Sequence, residues 1–265
     1  MDGRARRAVV ERRWRGQGTV IQFQDVDLIY PGEEVCALQG VTLEVHRGEF
    51  VVLHGGCGSG KSSLLRLLHR RMRPTRGEVT IDGRDLGILE RGELPGLRRR
   101  LAWLEAPARL LIGRTLEENV ALPLRLLGEP TAVLRRKVRS ALQEVGLVHK
   151  ARRRAETVDP GDRQLTALAR ALVMAPSALL ADELTADLDP ARTAEVLEVL
   201  HRAHLRGTTI LMATHAPDLA RGPHRRVVHL SAGQVVSDDP PARPAQVWLP
   251  DHPPTMTPGG APCAI

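Results

Sequence analysis

The sequence predicts an α/β fold, in which the strands of a buried sheet alternate with helices. Three short runs are almost wholly apolar, as strands buried on both faces of a parallel sheet must be: residues 50–54, 178–182 and 208–214. Apolar residues at helical spacing follow the first run from Lys61, and a second helical pattern over residues 191–205 separates the other two runs. This alternation of strand and helix indicates an α/β domain.

The other elements extend this domain, which we expect to span residues 19–238. Further strands are predicted at residues 21–30, 41–45, 78–81, 227–230 and 234–237. The turn signals Asp82-Gly83 and Ala232-Gly233 end the third of these and join the last two. From about residue 90 to 160 the strand patterns thin out and arginine-rich helical periods replace them, which predicts a helical subdomain.

The two ends of the chain differ in composition from the domain between them. Residues 1–18 are predicted to form a flexible basic arm, because six arginines there oppose only Asp2 and Glu11. Residues 239–265 are predicted to be a disordered tail, because the last 26 residues hold eight of the 19 prolines.

The net charge of +7 is concentrated in the arm and in residues 131–154, where eight basic residues oppose Glu144 alone. Such clusters indicate an anionic neighbour, either nucleic acid or acidic phospholipid headgroups. A solvated charged surface gives the same pattern, so this reading stays open.

The cysteines and the apolar runs indicate a cytosolic protein. Cys36, Cys57 and Cys263 are scattered, fit neither a disulfide framework nor a metal-site spacing, and agree with a reducing compartment. No apolar run approaches the ~20 residues of a membrane-spanning helix, and the charged N-terminus lacks the apolar stretch of a signal peptide. We therefore expect that the protein does not cross a membrane by itself.

A glycine-rich loop between the first buried strand and the first helix predicts a nucleotide site. Residues 55–62 match G-x-x-x-x-G-K-[ST] at every fixed position. The glycines let backbone N–H groups point at phosphate oxygens, Lys61 reaches the β- and γ-phosphates, and the Ser62 hydroxyl binds Mg²⁺. The candidate ATP-binding residues of this loop are Gly55, Gly56, Cys57, Gly58, Ser59, Gly60, Lys61, Ser62 and Ser63.

Two carboxylates end the second buried strand. Asp182 suits a metal-binding role beside a nucleotide, since a carboxylate at a strand's C-terminal end can hold Mg²⁺ through water. Glu183 suits the general base that polarises the attacking water. Solvated acids at a strand end are common, but a phosphate-binding loop about 120 residues upstream favours the functional reading.

Together these motifs resemble the ABC ATPases over roughly residues 20–238. The resemblance implies a P-loop NTPase with a RecA-like core, an antiparallel β-subdomain, an inserted helical subdomain, and a head-to-tail dimer with ATP at the seam. It implies that Asp189 lies in the D-loop facing the opposite subunit, that His215 contacts the γ-phosphate, and that Tyr30 stacks on adenine. A packing role at the strand end is the alternative for Tyr30.

Within this family the chain is most similar to the FtsE proteins of cell division. Residues 92–99, 115–124 and 145–151 carry that similarity, although lipoprotein and macrolide exporters share part of it. The resemblance implies an integral membrane, permease-like (FtsX-like) partner, a position at the cytoplasmic face of the cell membrane, and a homodimer or a heterodimer with another ABC ATPase subunit.

Two family motifs are degenerate. The signature that embraces the opposite subunit's γ-phosphate aligns on Asp159, Pro160 and Gly161, where a carboxylate replaces the serine and Pro160 lacks an N–H. Two like charges about 4 Å apart cost roughly 4 kcal/mol at an effective dielectric near 20, unless Asp159 turns away or is protonated. Asp and Pro nevertheless favour a helix start as N-cap and first residue. At the Q-loop, Ala106 replaces the family's glutamine beside Glu105, with no glutamine nearby in sequence.

Three functional hypotheses follow from these patterns. The leading one is an ATP-hydrolysing, FtsE-like subunit whose turnover is impaired or depends on a partner. The degenerate motifs favour a non-hydrolysing ATP-binding scaffold, or the degenerate half of a heterodimeric transporter. A nucleic-acid-handling ATPase is disfavoured, because the chain has no long coiled-coil insertion or duplicated ATPase half, and an anionic membrane surface is the preferred neighbour for the basic residues.

Overall fold

The structure is a computed structural model that describes residues 18–32, 35–220, 222 and 224–241. Its strands are β1 Thr19–Ile29, β2 Cys36–His46, β3 Phe50–His54, β4 Arg76–Ile81, β5 Arg84–Asp85, β6 Leu101–Glu105, β7 Ala178–Asp182, β8 Thr209–Thr214, β9 Arg225–Ser231 and β10 Gln234–Asp239. Its α-helices are α1 Lys61–Leu68, α2 Leu94–Arg100, α3 Leu116–Leu126, α4 Thr131–Glu144, α5 Pro160–Leu172, α6 Pro190–Leu205 and α7 Pro217–Ala220. The predicted arm and tail lie almost wholly outside the described residues, and the domain bounds stay a prediction.

The strands form two sheets. The first is antiparallel with the order β2-β1-β4-β5. The second has the order β10-β9-β3-β8-β7-β6, in which all neighbours are parallel except the β9–β10 hairpin. The predicted parallel sheet is therefore present, with an antiparallel sheet packed beside it.

Alternation along β3 shows why its sequence is apolar throughout. Phe50 and Val52 pack into a core with the helices of residues 116–200, whereas Val51 and Leu53 pack into a second core with β1, β2 and α1. Side chains on a strand point to opposite faces in turn, so a strand covered on both sides needs apolar residues at each position. The apolar run of residues 50–54 therefore indicates a strand in the centre of the sheet.

The predicted strand bounds are correct where both faces are buried and approximate elsewhere. β3 and β7 have the predicted limits, and β8 begins one residue later than expected. β2 is longer than predicted, because its first half departs from strict alternation: Gly40 has a φ of 55° and the register with β1 shifts along the pair. The two-residue strand β5 was not predicted, since it pairs only with β4 beyond the Asp82-Gly83 turn.

The helical region between residues 94 and 172 contains α2, α3, α4 and α5 together with strand β6. Helix α3 begins with a capping box, in which Thr115 accepts a hydrogen bond from the Glu118 N–H and the Glu118 carboxylate accepts one from the Thr115 N–H. Helix α5 begins as predicted, with Asp159 as N-cap and Pro160 as its first residue. This region covers one face of the parallel sheet.

One arginine ties the two sheets together. Arg226 on β9 is buried, and its Nη1 donates to the Glu49 carboxylate at 3.0 Å and to the Glu44 carbonyl of β2 at 2.8 Å. Its Nη2 donates to Asp238 Oδ2 on β10 at 2.6 Å. The guanidinium therefore satisfies groups from three segments, and Glu49, which is also buried, depends on it.

Across residues 18–32, 35–220, 222 and 224–241, no helix combines the length and apolarity needed to span a bilayer.

The topology brings four strand ends to one edge. The carboxyl ends of β3, β6, β7 and β8 lie side by side, since His54 pairs with Thr214 and Glu105 pairs with Asp182 in the parallel register. The loops that follow these strands carry most of the predicted site residues, and the crevice beyond such an edge is where open α/β sheets bind ligands.

Candidate functional site

The glycine-rich loop after β3 folds around the ammonium group of Lys61. Lys61 is 5% exposed, and its Nζ donates to the carbonyls of Gly55 and Gly56 at 2.7 and 2.8 Å. A third contact reaches Ser59 Oγ at 3.4 Å. The cation is thus held at the N-terminus of α1, where the helix dipole also favours an anion.

Close packing explains two of the glycines in this loop. A Cβ on Gly55 would lie 2.3 Å from the carbonyl oxygen of Leu230, which no side chain tolerates. Gly60 has a φ of 102°, and its Cβ would lie 2.7 Å from Leu38 Cδ2. The loop therefore lies directly against β2 and β9, and its shape requires glycine at these positions.

A cleft of about 510 Å³ opens over this loop. It is lined by Tyr30, Val35, Cys36, Ala37, Gln39, Gly58, Ser59, Gly60, Lys61, Ser62, Ser63, Arg66 and Ala232. Its volume lies within the ~300–1,000 Å³ typical of small-molecule sites. A buried ammonium group and a helix N-terminus at one end fit the phosphates of a nucleotide.

Tyr30 lies in the wall of this cleft. Its hydroxyl contacts Ser63 Oγ at 2.8 Å and accepts a hydrogen bond from Arg66 Nη1 at 3.0 Å, while its ring packs partly on the core below. The position agrees with both of the roles considered for it, and adenine stacking stays a prediction. Arg66 is not among the site residues that the sequence predicts, although its position one helical turn beyond Ser62 on α1 would indicate it.

Ser62 and Asp182 meet although 120 residues separate them. Ser62 Oγ donates to Asp182 Oδ1 at 2.8 Å. Burial and the neighbouring carboxylates of Glu183 and Glu105 raise the pKa of Asp182, while the Ser62 hydrogen bond lowers it in part. Oxygen atoms of hydroxyl and carboxylate groups are ligands that Mg²⁺ prefers, and a cation would stabilise the unfavourable negative charge of Asp182. Ser62 and Asp182 therefore fit the predicted metal role.

Glu183 and His215 are held together at the ends of adjacent strands. Glu183 Oε2 lies 3.0 Å from His215 Nδ1, and its Oε1 lies 3.9 Å from Lys61 Nζ. Glu183 has a φ of 50°, a conformation uncommon for a residue with a side chain, and its N–H donates to the Ala213 carbonyl. The Glu183 carboxylate thus lies between His215 and Lys61, and a strained backbone of this kind is typical of functional sites.

The residues aligned with the signature motif form a separate ion-paired cluster. Asp159 Oδ1 accepts the Asp162 N–H at 2.8 Å, and Asp159 Oδ2 lies 3.0 Å from Arg192 Nη2. Lys150 contacts the Asp162 carboxylate, and Arg192 extends to it at 3.4 Å. Burial opposes ionisation of Asp159, but the Asp162 N–H and the cations of Arg192 and Lys150 outweigh it and lower the pKa of Asp159.

The Asp159 carboxylate is therefore ionised and turned into its own helix. Asp159 could avoid repulsion from a phosphate either by turning its carboxylate away or by being protonated. The geometry supports the first of these and not the second. The Arg192 side chain also covers Gly161, whose Cβ would lie 2.8 Å from Arg192 Cδ. Asp189 caps α6 by accepting the Arg192 N–H at 2.9 Å, so Arg192 links both motifs.

The two groups of predicted residues are not joined within one chain. Among the described residues, no hydrogen bond or ion pair connects the Asp159 cluster to Lys61, Asp182 or Glu183. At the Q-loop position Glu105 pairs with Arg71 and Arg109 at 3.5 and 2.9 Å. No glutamine is near in sequence, but buried Gln164 of α5 donates to the Glu105 carbonyl at 3.5 Å.

Comparison with known proteins gives concordant matches. Residues 38–186 match the family model described as ABC transporter. The cell division ATP-binding protein FtsE of Bacillus subtilis (strain 168) is 35% identical over 220 residues, covering 83% of this chain and 96% of that protein. The methionine import ATP-binding protein MetN of Thermobifida fusca (strain YX) is 40% identical over 220 residues, covering 82% of this chain and 68% of that protein.

Among solved structures, the ATP-binding cassette MJ0796, in a dimeric post-hydrolysis state bound to ADP and Pi, superposes with a TM-score of 0.76 at 30% identity. The match covers 83% of this chain and 98% of that one. The predicted resemblance and the predicted fold class are therefore confirmed.

Proposed function

Because the chain belongs to the ABC transporter family as an ATP-binding subunit, we propose that it hydrolyses ATP at the loop of residues 55–63. The observation that carries this proposal is one constellation at the sheet edge. Lys61, Glu183 and His215 lie in contact beside the Ser62–Asp182 pair. Groups suited to phosphate binding, metal binding and proton acceptance thus lie around Lys61 and Ser62, which line the cleft over the glycine-rich loop.

Each side chain has a role that follows from its position. Lys61 and the loop amides neutralise and orient the phosphates, and Tyr30 stacks on the base. The Glu183 carboxylate, 27% exposed, is open to water and accepts a proton from the attacking molecule, while His215 holds the carboxylate in place and faces the terminal phosphate. Ser62 and Asp182 would hold Mg²⁺, which neutralises charge developing on the phosphates.

A membrane partner is the second part of the proposal. An apolar groove of about 430 Å³ lies between α2, β6, α3 and α5, and its lining includes Trp103, Met174 and the largely exposed Leu126. We expect a permease-like, FtsX-like subunit to dock there. The protein would then lie at the cytoplasmic face of the cell membrane, where it would act as a homodimer or as a heterodimer with another ABC ATPase subunit. The FtsE relatives support a role in cell division, and the MetN relatives support import as its competitor.

A non-hydrolysing scaffold, or the degenerate half of a heterodimer, is the second candidate. It is favoured by the Asp159–Arg192 pair, because a carboxylate held by Arg192 stands where the family has the serine hydroxyl that contacts the opposite nucleotide. Pro160 removes one N–H from the same turn. In this second candidate function the protein still binds ATP, but its signature residues do not contribute to hydrolysis of the ATP bound by the opposite subunit.

Restoring the signature separates these two candidates. We expect measurable phosphate release from the unmodified protein, and about tenfold or more faster release from the double variant Asp159→Ser, Pro160→Gly, because one lost transition-state donor typically costs ~10²–10³-fold. Serine is also a favoured N-cap, so α5 keeps its start. The measurement is steady-state phosphate release with Mg²⁺, with Asp159→Asn as the control that removes the charge alone.

A silent unmodified protein whose double variant is active would establish the scaffold or heterodimer candidate. Silence in both proteins, with ATP binding intact, would contradict the enzymatic proposal itself.

A further inference from the structure

A second groove lies within the helical region, and none of its lining residues belongs to the nucleotide loop. It has a volume of about 1020 Å³ and is formed by α3, α4 and the segment around the Val148–Lys150 turn. Its lining is Glu117, Ala121, Arg125, Glu129, Thr131, Leu134, Arg135, Val138, Arg139, Leu142, Val148, Ala151 and Arg152. We call it the α3–α4 groove.

The walls of the α3–α4 groove carry excess positive charge. Four of its arginines, all exposed, make no ion pair with a carboxylate of the described residues: Arg125, Arg135, Arg139 and Arg152. Of the two acids in the lining, Glu129 is bound to Lys137 at 2.6 Å. Only Glu117 of the lining is left against four guanidinium groups.

The floor of the groove is apolar. Leu134, Val138 and Leu142 lie one helical turn apart along α4, and Ala121 closes the floor from α3. Val148 stands at the rim with 40% of its surface exposed. Val138 and Leu142 are buried in the protein's own core, so half-buried Leu134 and the exposed rim residue Val148 supply the apolar surface that a ligand can reach. Arg135 and Arg139 flank this surface, because they follow directly after Leu134 and Val138 on α4.

We propose that the α3–α4 groove binds an acidic amphipathic helix of a partner protein. Such a helix places apolar side chains at i, i+3, i+4 and i+7 on the floor, while its carboxylates meet the arginines on the walls. Charge complementarity selects this occupant, because arginine is well suited to bidentate carboxylate recognition. The proposal does not rest on ATP hydrolysis, since no groove residue belongs to the nucleotide cleft.

The sequence favours an anionic membrane surface as the neighbour of these basic residues, but a membrane surface and a nucleic acid both fit the α3–α4 groove less well than a helix does. Both offer anionic phosphates, but lipid headgroups and a nucleic-acid backbone bring no apolar side chains to the floor, and a bilayer is flat where the groove is concave. The groove also differs from the proposed permease-docking groove, which uses the Leu122 and Leu126 side of α3 and not the Ala121 and Arg125 side.

The test uses a synthetic peptide in which leucines at helical spacing alternate with glutamates. Binding of the fluorescein-labelled peptide to the full chain is measured by anisotropy, beside a scrambled peptide of the same composition. We expect saturable binding that Arg135→Glu, Arg139→Glu weakens at least about tenfold. Arg136→Glu is the matched control, because Arg136 neighbours Arg135 on α4 but does not line the groove. It is expected to change the affinity less than about threefold.

Three outcomes would overturn the proposal. The scrambled peptide binding equally well would show that helical presentation is irrelevant, and Arg136→Glu weakening binding as much as the double variant would show diffuse charge attraction. Equimolar phosphatidylcholine–phosphatidylglycerol vesicles, or a DNA duplex, that bind in an Arg135-dependent manner while the peptide does not would assign the surface to lipid or nucleic acid. ATP binding, measured in each variant, reports that the fold is intact.

Discussion

Replacing Glu183 with glutamine is expected to lower the rate of ATP hydrolysis by about 10²–10⁴-fold, with ATP affinity changed by no more than a few-fold. Glutamine keeps the shape of the side chain and can still contact His215, which lies 3.0 Å from the Glu183 carboxylate. It cannot accept a proton, so only the chemical step is lost. Single-turnover phosphate release, compared with equilibrium ATP binding, measures both effects.

Glu105 supplies a matched control for this prediction. Glu105 ends β6 and pairs with Asp182, the last residue of β7, while Glu183 directly follows β7. The Glu105 carboxylate, however, is held by Arg71 and Arg109. Glu105→Gln is therefore expected to leave turnover within about tenfold of the unmodified protein. If Glu105→Gln silenced the enzyme and Glu183→Gln did not, the general base would be Glu105, and the assignment from the β7 strand end would be wrong.

Replacing Arg226 with alanine is expected to lower the free energy of unfolding by about 3–5 kcal/mol. The variant leaves the buried Glu49 carboxylate without its cation and removes the hydrogen bonds to the Glu44 carbonyl and Asp238. The loss comes from an uncompensated buried charge, so adding Glu49→Gln should recover part of it. Urea unfolding followed by circular dichroism measures each free energy.

An exposed arginine provides the comparison. Arg76 contacts Asp25 at 2.7 Å with 69% of its side chain exposed, and Arg76→Ala is expected to cost less than about 1 kcal/mol. Equal losses in Arg76→Ala and Arg226→Ala would mean that the bridge between the two sheets contributes no more than a surface ion pair.

Local signals in the sequence predict those parts of the candidate site that follow single strands. The apolar runs of β3 and β7, followed by a glycine loop and by Asp182-Glu183, define where each group lies along the chain. Because parallel strands end at the same edge of a sheet, the sequence predicts that Ser62 and Asp182 lie near each other. It does not predict the direct hydrogen bond of 2.8 Å between them.

Contacts between distant segments could not be predicted in this way. The sequence around Asp159 does not indicate that Arg192 and Lys150 neutralise its carboxylate. Likewise, the sequence around Glu105 does not indicate that Gln164 donates a hydrogen bond to the Glu105 carbonyl. Nothing in the sequence around Arg226 distinguishes it from a surface arginine. It is buried only because β2, β9 and β10 pack together around it. These features depend on which helices and strands pack together, which single-segment patterns do not specify.

Equilibrium binding of ATP to the unmodified protein, with and without Mg²⁺, tests the central claim most directly. The predicted result is saturable binding that Mg²⁺ strengthens and that Lys61→Ala weakens at least about thirtyfold, since the buried Lys61 ammonium is the cation held at the loop. Absence of saturable binding, or equal affinity in a folded Lys61→Ala variant, would contradict the assignment of residues 55–63 as the nucleotide site.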